Sequence, residues 1–344
     1  MPVSAPLRLD CDADSLVANW RFLKTAGGGA ACGAAVKADA YGLGAVKVAR
    51  RLAAAGCRDL FVATWAEAEA LGPLPDGVAL SVLHGIRAED MATALGSPAR
   101  PVLNSAEQVA RWRGAGGGAC DVMVDTGMNR LGLSAAEAAS GLLEGLAIET
   151  LMSHLACADE PGHALNTRQQ AAFAALRGQV SARRYSLANS AGILLGRDYA
   201  FDLTRPGLAL YGGVPVPGDA RQRAGLRPVA AISAAILQVR TVAAGETVGY
   251  GATWAAPRDS RIAIVNAGYA DGLLNRLAAG LAAHHDGRRL PVVGRISMDM
   301  MAIDLGPAPL REGDWLRLDL DLPDLAAMAG LSQYELLTRL GDRF

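Results

Sequence analysis

Eight short apolar runs recur between residues 32 and 212, each separated from the next by a stretch with helical patterning. They cover 32–38, 60–64, 78–85, 100–104, 120–127, 148–155, 183–189 and 201–212. Two of the intervening segments, "GAVKVARRLAAAG" and "NTRQQAAFAALRGQV", place apolar residues at helical spacing. Thr64 to Glu67, Ser105 to Gln108 and Ser134 to Glu137 have the spacing in which a hydroxyl caps a helix and an acid or amide reaches back. Eight strand–helix units within about 200 residues predict an α/β fold of the (β/α)8 TIM-barrel type. An open doubly wound sheet is the alternative, but no G-x-G-x-x-G follows the first run.

The pattern changes after about residue 226. "AAISAAILQVRTV", "ETVGYGATW", "RIAIVNAGYA", "LPVVGRISMDMMAIDL" and "DWLRLDL" read as strands punctuated by Gly, Pro and Asp, and only the last 20 or so residues look helical again. The expected division is a barrel over 10–226 and a mostly β C-terminal domain over 227–344, joined by an N-terminal strand within 1–9.

A formal charge of −1 gives no electrostatic case for nucleic acid or an anionic membrane. No apolar run is long enough to cross a bilayer, and "MPVSAPLRLDCDADSL" lacks the basic and apolar regions of a signal peptide. The five cysteines are scattered, without CxxC spacing, which argues against a disulfide framework or a zinc site and for a cytoplasmic setting.

Of the 33 basic residues only Lys24, Lys37 and Lys47 are lysines. Lys37 falls where the first barrel strand should end, and in such barrels that end faces the active-site mouth. An amine there can form a Schiff base with an aldehyde, which a guanidinium cannot; a lysine snorkelling from a strand end is the plain alternative. His154, Asn189, Ser190 and Arg205 lie at the same end of later strands. Singly, each has a structural explanation: a core histidine, helix caps, an ion pair. Loops after strands seven and eight are also where barrels commonly hold phosphate. Ser190 opens a helix, and Gly207 would let the backbone approach an anion.

"AVKADAYGLG", "VDTGMNRLG", "SHLACADE", "LANSAG", "TRPGLALYG", "VGYGATW", "NAGYADG" and "VGRISMDMM" stand in the order found in alanine racemases, and "LRLDCDADSLVANWRFL" is similar to that family's start. The resemblance implies a pyridoxal 5'-phosphate enzyme, a homodimer of barrel-plus-β subunits. It would interconvert L- and D-alanine by two-base racemisation and supply D-alanine for peptidoglycan. It makes Lys37 the lysine that carries the cofactor as a Schiff base. Tyr41 and Ser190, with the backbone of Gly207 and Leu208, would hold the phosphate. His154 would lie beside the pyridine ring, Arg205 would face its nitrogen, and Asn189 would complete the cofactor set. Tyr250 matches the second base, contributed by the partner subunit. Tyr269 resembles a residue at the substrate entrance, and Arg130 and Met298 match contacts to the substrate carboxylate. No metal is implied.

The chain departs from the family at one informative position. Many members have a carbamylated lysine seven residues before the arginine equivalent to Arg130, and its charge orients that arginine. Here the position is Met123. Asp121 or Asp125, a bound anion such as chloride, or water must then orient Arg130. Near the C-terminus, where some members have a phosphate-contacting tyrosine, Asp342 and Phe344 offer no clear match. The alternatives are a racemase for serine, lysine or a broad range of amino acids, a non-catalytic pyridoxal-phosphate carrier, and a decarboxylase on a related fold. An arginine rather than an acid opposite the ring nitrogen argues against the decarboxylase.

Overall fold

The computed structural model describes residues 5–340. Residues 1–4 of the expected N-terminal strand, and Asp342 and Phe344, lie outside the described residues. The chain divides into two compact units: Leu16–Arg227 form one, and the chain before Leu16 with the chain from Pro228 onward forms the other.

The first unit is a ring of parallel strands, and all eight apolar runs contribute to it. Strand one is split into Ala31–Cys32 and Ala34–Ala35, and the others are Asp59–Val62, Ala79–Val82, Arg100–Leu103, Cys120–Asp125, Ile148–Met152, Arg184–Ser186 and Leu203–Thr204. Ala34–Ala35 pairs with strand two, while Ala31–Cys32 pairs with strand eight. Between strands seven and eight, Asp202 N–H donates to the Tyr185 carbonyl and Arg205 N–H to the Ala188 carbonyl, which closes the ring. Gly33 makes the split strand feasible: a Cβ there would sit 2.8 Å from both the Asp59 carbonyl oxygen and the Phe61 ring. The strands read as apolar runs because both faces are covered, and Asp59–Val62 is buried at every position.

The predicted runs extend past the strands they contain, and at two of them the difference bears on the site. The run 32–38 stops being a strand at Ala35, so Lys37 lies just beyond the strand. The run 201–212 is a strand only over Leu203–Thr204, followed by a short 3-10 turn at Leu208–Tyr211. All three capping hydroxyls accept the expected backbone N–H.

Polar residues near the strand N-termini occupy the barrel interior. Arg184 forms a two-pronged ion pair with Asp59, and the buried Asp121 accepts from Ser81 Oγ at 2.6 Å and from Arg100 Nε at 3.4 Å. These residues sit toward the end of the barrel opposite the mouth, where such networks serve stability rather than chemistry.

The second unit is a closed antiparallel barrel. Ala230–Val242 pairs on one side with Ser260–Val265 and on the other with Trp315–Leu318, and the circuit continues through Met301–Asp304, Arg288–Val293 and Ala282–His285. Leu7–Cys11 joins as an extra strand, with Leu7 opposite Ala234 and Cys11 opposite Ala230. Helices Leu322–Ala329 and Gln333–Thr338 follow. "ETVGYGATW" is not one strand: Thr247–Val248 and Trp254–Ala255 pair, and Tyr250 sits on the turn between them. The strand Ala282–His285 is absent from the sequence reading. Its signal was available in Asp286-Gly287, whose φ angles of 47° and 73° suit the tight hairpin that such a dipeptide favours.

Candidate active site

Lys37 follows strand one directly, and what comes next is unusual. Ala38, Asp39, Ala40 and Tyr41 have φ between 50° and 59°, four consecutive non-glycine residues in the left-handed region. That conformation costs an L-residue about 1–2 kcal/mol, so the surroundings must impose it. Ala40 N–H donates to the Val36 carbonyl, and Gly44 N–H to the Asp39 carbonyl. The Asp39 carboxylate accepts from Ala45 N–H at 2.6 Å. Glu67, from the helix after strand two, accepts from Ala38 N–H at 3.0 Å. The result is a half-buried amine at the barrel mouth. Burial, and after it the positive charge of Arg130, lowers the Lys37 pKa, while Glu67 opposes the shift. The other two lysines are exposed and lie elsewhere: Lys24 is held over the Trp20 ring, and Lys47 lies on the helix Ala45–Ala55.

The left-handed turn also delivers Tyr41. Its ring lies 4.8 Å from that of Tyr211, whose hydroxyl donates to the Ala35 carbonyl at 2.8 Å. The Tyr41 hydroxyl faces Gly207 so closely that any Cβ at Gly207 would overlap it. Ser190 Oγ accepts from Gly207 N–H at 2.9 Å and from Ala209 N–H at 3.2 Å, tying the loops after strands seven and eight together. Asn189 caps the helix Ser190–Leu195, its side-chain oxygen accepting from Gly192 N–H. A tyrosine hydroxyl, a serine hydroxyl and a glycine backbone therefore meet at one place, in the position where barrels hold phosphate.

Arg205 leaves strand eight and is buried. Its guanidinium donates to the Ser186 carbonyl at 2.8 Å, to Ser186 Oγ, and to the Ser153 carbonyl. Burial lowers its pKa to about 10, so it stays protonated at neutral pH. His154 is pushed down to about 3, first by burial and then by the charges of Arg205, Arg130 and Lys37, which makes it a neutral imidazole. Behind it the buried Gln169, from the helix Ala164–Ala175, donates to the His154 carbonyl at 2.9 Å and accepts from Ala156 N–H. Nothing in the sequence pattern marked Gln169.

Asp121 and Asp125 do not hold the Arg130 guanidinium. The first is engaged by Ser81 and Arg100. The second accepts the backbone N–H groups of Gly127, Met128 and Arg130, which shapes the loop instead. Met123 is 8% exposed and brings no charge to the site.

In the β unit, Tyr250 stands between Gly249 and Gly251 with φ of 78° and 71°, and it is 72% exposed. The loop Gly294–Met300 organises that end of the unit. Arg295 lies against Gly251, while the Ser297 and Met298 carbonyls accept from Tyr269 and Ala270 N–H, each at 3.0 Å. Tyr250, Tyr269 and Met298 thus share neighbours on one loop.

The residues of the barrel mouth fit pyridoxal phosphate in three respects. Lys37 is an amine able to bind an aldehyde, the Tyr41–Ser190–Gly207 cluster has the donors and close backbone that a phosphate requires, and Arg205 supplies a fixed cation nearby.

Residues 11–215 match the family model described as alanine racemase, N-terminal domain, and residues 229–344 match that for the C-terminal domain. The chain belongs to the alanine racemase family. It is 45% identical to the alanine racemase of Acidiphilium cryptum (strain JF-5), over 98% of this chain and 97% of that relative. It is 43% identical to the alanine racemase of Dinoroseobacter shibae, covering 99% and 97% of the two chains. The crystal structure of alanine racemase from Bartonella henselae with covalently bound pyridoxal phosphate superimposes with a TM-score of 0.87 at 34% identity, covering 99% of each chain. Membership in the alanine racemase family sets aside the carrier and decarboxylase alternatives. Among the described residues, no helix is long and apolar enough to cross a membrane.

Proposed function

We propose that this chain interconverts L- and D-alanine as a pyridoxal-phosphate-dependent isomerase, with the cofactor in the barrel unit. The observation that carries the reading is Lys37, a half-buried amine set at the barrel mouth by a left-handed turn and within electrostatic reach of a neutral His154.

Lys37 would carry the cofactor, with Tyr41, Ser190 and the backbone of Gly207 and Leu208 around its phosphate and Asn189 capping the adjoining helix. When bound, pyridoxal phosphate supplies an electron sink for the charge left at the substrate Cα. Lys37 Nζ then holds or returns a proton on one face of that carbon, and the Tyr250 hydroxyl does so on the other. Arg205 has no acceptor and keeps its own proton, so it leaves the ring nitrogen without an added one. Arg205 would thereby favour return of the proton to Cα over its loss elsewhere. Arg130 and the Met298 N–H would bind the substrate carboxylate, and Tyr269 would line the entrance.

The homodimer belongs to the same proposal. Tyr250, Tyr269, Met298 and Met300 are all substantially exposed on the β unit, and large apolar side chains gathered this way suit a covered face. A second copy would supply Tyr250 to its partner's site. A reduced cytoplasmic setting accords with five scattered cysteines that show no CxxC spacing.

The experiment is incubation of the purified protein with L-alanine, followed by chiral separation. Equal amounts of L- and D-alanine are expected at equilibrium. No D-alanine, or faster turnover of serine or lysine, would contradict the assignment. Run in chloride and in acetate at matched ionic strength, the same assay reads how Arg130 is oriented. With Met123 uncharged and both aspartates engaged, an anion such as chloride is the proposed partner, and the KM for alanine should rise several-fold in acetate. An unchanged KM would leave water in that role.

A further inference from the structure

Three described helices begin with a Ser or Thr and a Glu three residues later, and two of them close the reciprocal arrangement. The Glu137 and Glu335 carboxylates each return to the N–H of their own capping serine, at 2.8 Å. The third does not. Thr64 Oγ1 accepts from Glu67 N–H at 3.2 Å, but the Glu67 carboxylate leaves the N-cap. One oxygen accepts from Ala63 N–H at 2.6 Å, at the end of strand two, and the other from Ala38 N–H at 3.0 Å. Ala38 is both the residue after Lys37 and the first residue of the left-handed turn. A local helix cap has been redirected into a clamp between two strand ends.

We propose that Glu67 is a positioning residue: its carboxylate clamps the Ala38 and Ala63 amides, holds the left-handed turn in place, and thereby sets the direction of Lys37 and the seat of Tyr41. The turn is intrinsically unfavourable for L-residues. Asp39 secures its far end through Ala45, and Glu67 secures its near end. Val36 N–H to the Phe61 carbonyl fixes the strand before Lys37 but nothing after it. Without the clamp, the amine loses the anchor closest to it on its C-terminal side. Both bonds run from neutral amides to a carboxylate, the stronger class of hydrogen bond. The charged groups facing Lys37 are Arg130 and Glu67, with the neutral His154 beside them, so Glu67 is the one anion of the set.

This inference rests on the proposed function, and its test is arranged to fail separately from it. The holoenzyme is compared with Glu67→Gln, Glu67→Asp and Thr64→Ala. Glutamine keeps the shape, but its NH2 faces a backbone N–H, so one clamp bond is lost along with the charge. Aspartate keeps the charge and is one methylene too short to span both amides. Thr64→Ala weakens the same helix start and leaves the clamp intact. Both Glu67 variants should lose about 10- to 100-fold in kcat with KM little changed, while Thr64→Ala should keep its kcat. In Glu67→Gln alone, the limb of the kcat–pH profile that reports Lys37 should move to lower pH, because its ammonium has lost the neighbouring anion. Hydrogen exchange of the peptide 36–45, followed by mass spectrometry, needs no turnover. It should quicken in both Glu67 variants and stay unchanged in Thr64→Ala. Wild-type exchange rates and kcat in the Glu67 variants would overturn the proposal, as would an equal loss in Thr64→Ala. A wild-type protein that racemises nothing would defeat the proposed function and leave the exchange comparison to decide the clamp.

Discussion

Replacing Lys37 by arginine is expected to abolish racemisation, with a loss greater than about 10⁴-fold, the upper end of the range for removing one acid–base group. The substitution keeps the positive charge in a chain that otherwise relies on arginine. It removes the one property a guanidinium cannot supply, an amine that gives up its proton and attacks an aldehyde. The protein should also lose the yellow colour of bound cofactor while its far-ultraviolet circular dichroism is retained. Lys47→Arg, at an exposed site on the neighbouring helix, should change neither. An active Lys37→Arg enzyme would mean that the charge, not the amine, is what the site requires.

Tyr250→Phe is expected to slow alanine racemisation by about 10²–10⁴-fold. Phenylalanine preserves the ring on its turn between two glycines and removes only the hydroxyl. Lys37 would survive on the opposite face of Cα, so the loss should be lopsided. Exchange of the Cα proton with solvent deuterium should continue for one enantiomer and nearly stop for the other. Equal, wild-type exchange from both enantiomers would remove Tyr250 from the mechanism.

The barrel was legible because buried parallel strands leave uninterrupted apolar runs, and the run count gave the strand count. The limits of the runs were less legible. "AVKADAY" continues an apolar-looking pattern past Ala35, but the backbone turns left-handed at Ala38. Within Ala-Asp-Ala-Tyr only Asp39 tolerates that conformation readily; its bond to Ala45 and the contact from Glu67, 29 residues away from Ala38, impose it on all four. Thr64 and Glu67 were visible as a capping pair, yet spacing cannot say which amide a carboxylate chooses. The hairpin through Asp286-Gly287 is hard to read in the sequence because His284 and His285 break the apolar alternation. Met123 announced a missing charge, but the engagement of Asp121 with Ser81 and Arg100 is a long-range fact that no sequence window contains.

The central claim is that one amine, Lys37, carries the cofactor. Borohydride reduction of the yellow protein, followed by peptide mapping, tests it directly, because reduction fixes a Schiff base to the lysine that formed it. With only three lysines in the chain, the outcome is unambiguous. The label should be found on Lys37 alone. A label on Lys24 or Lys47, or a protein that stays colourless and takes up none, would contradict the assignment of the site.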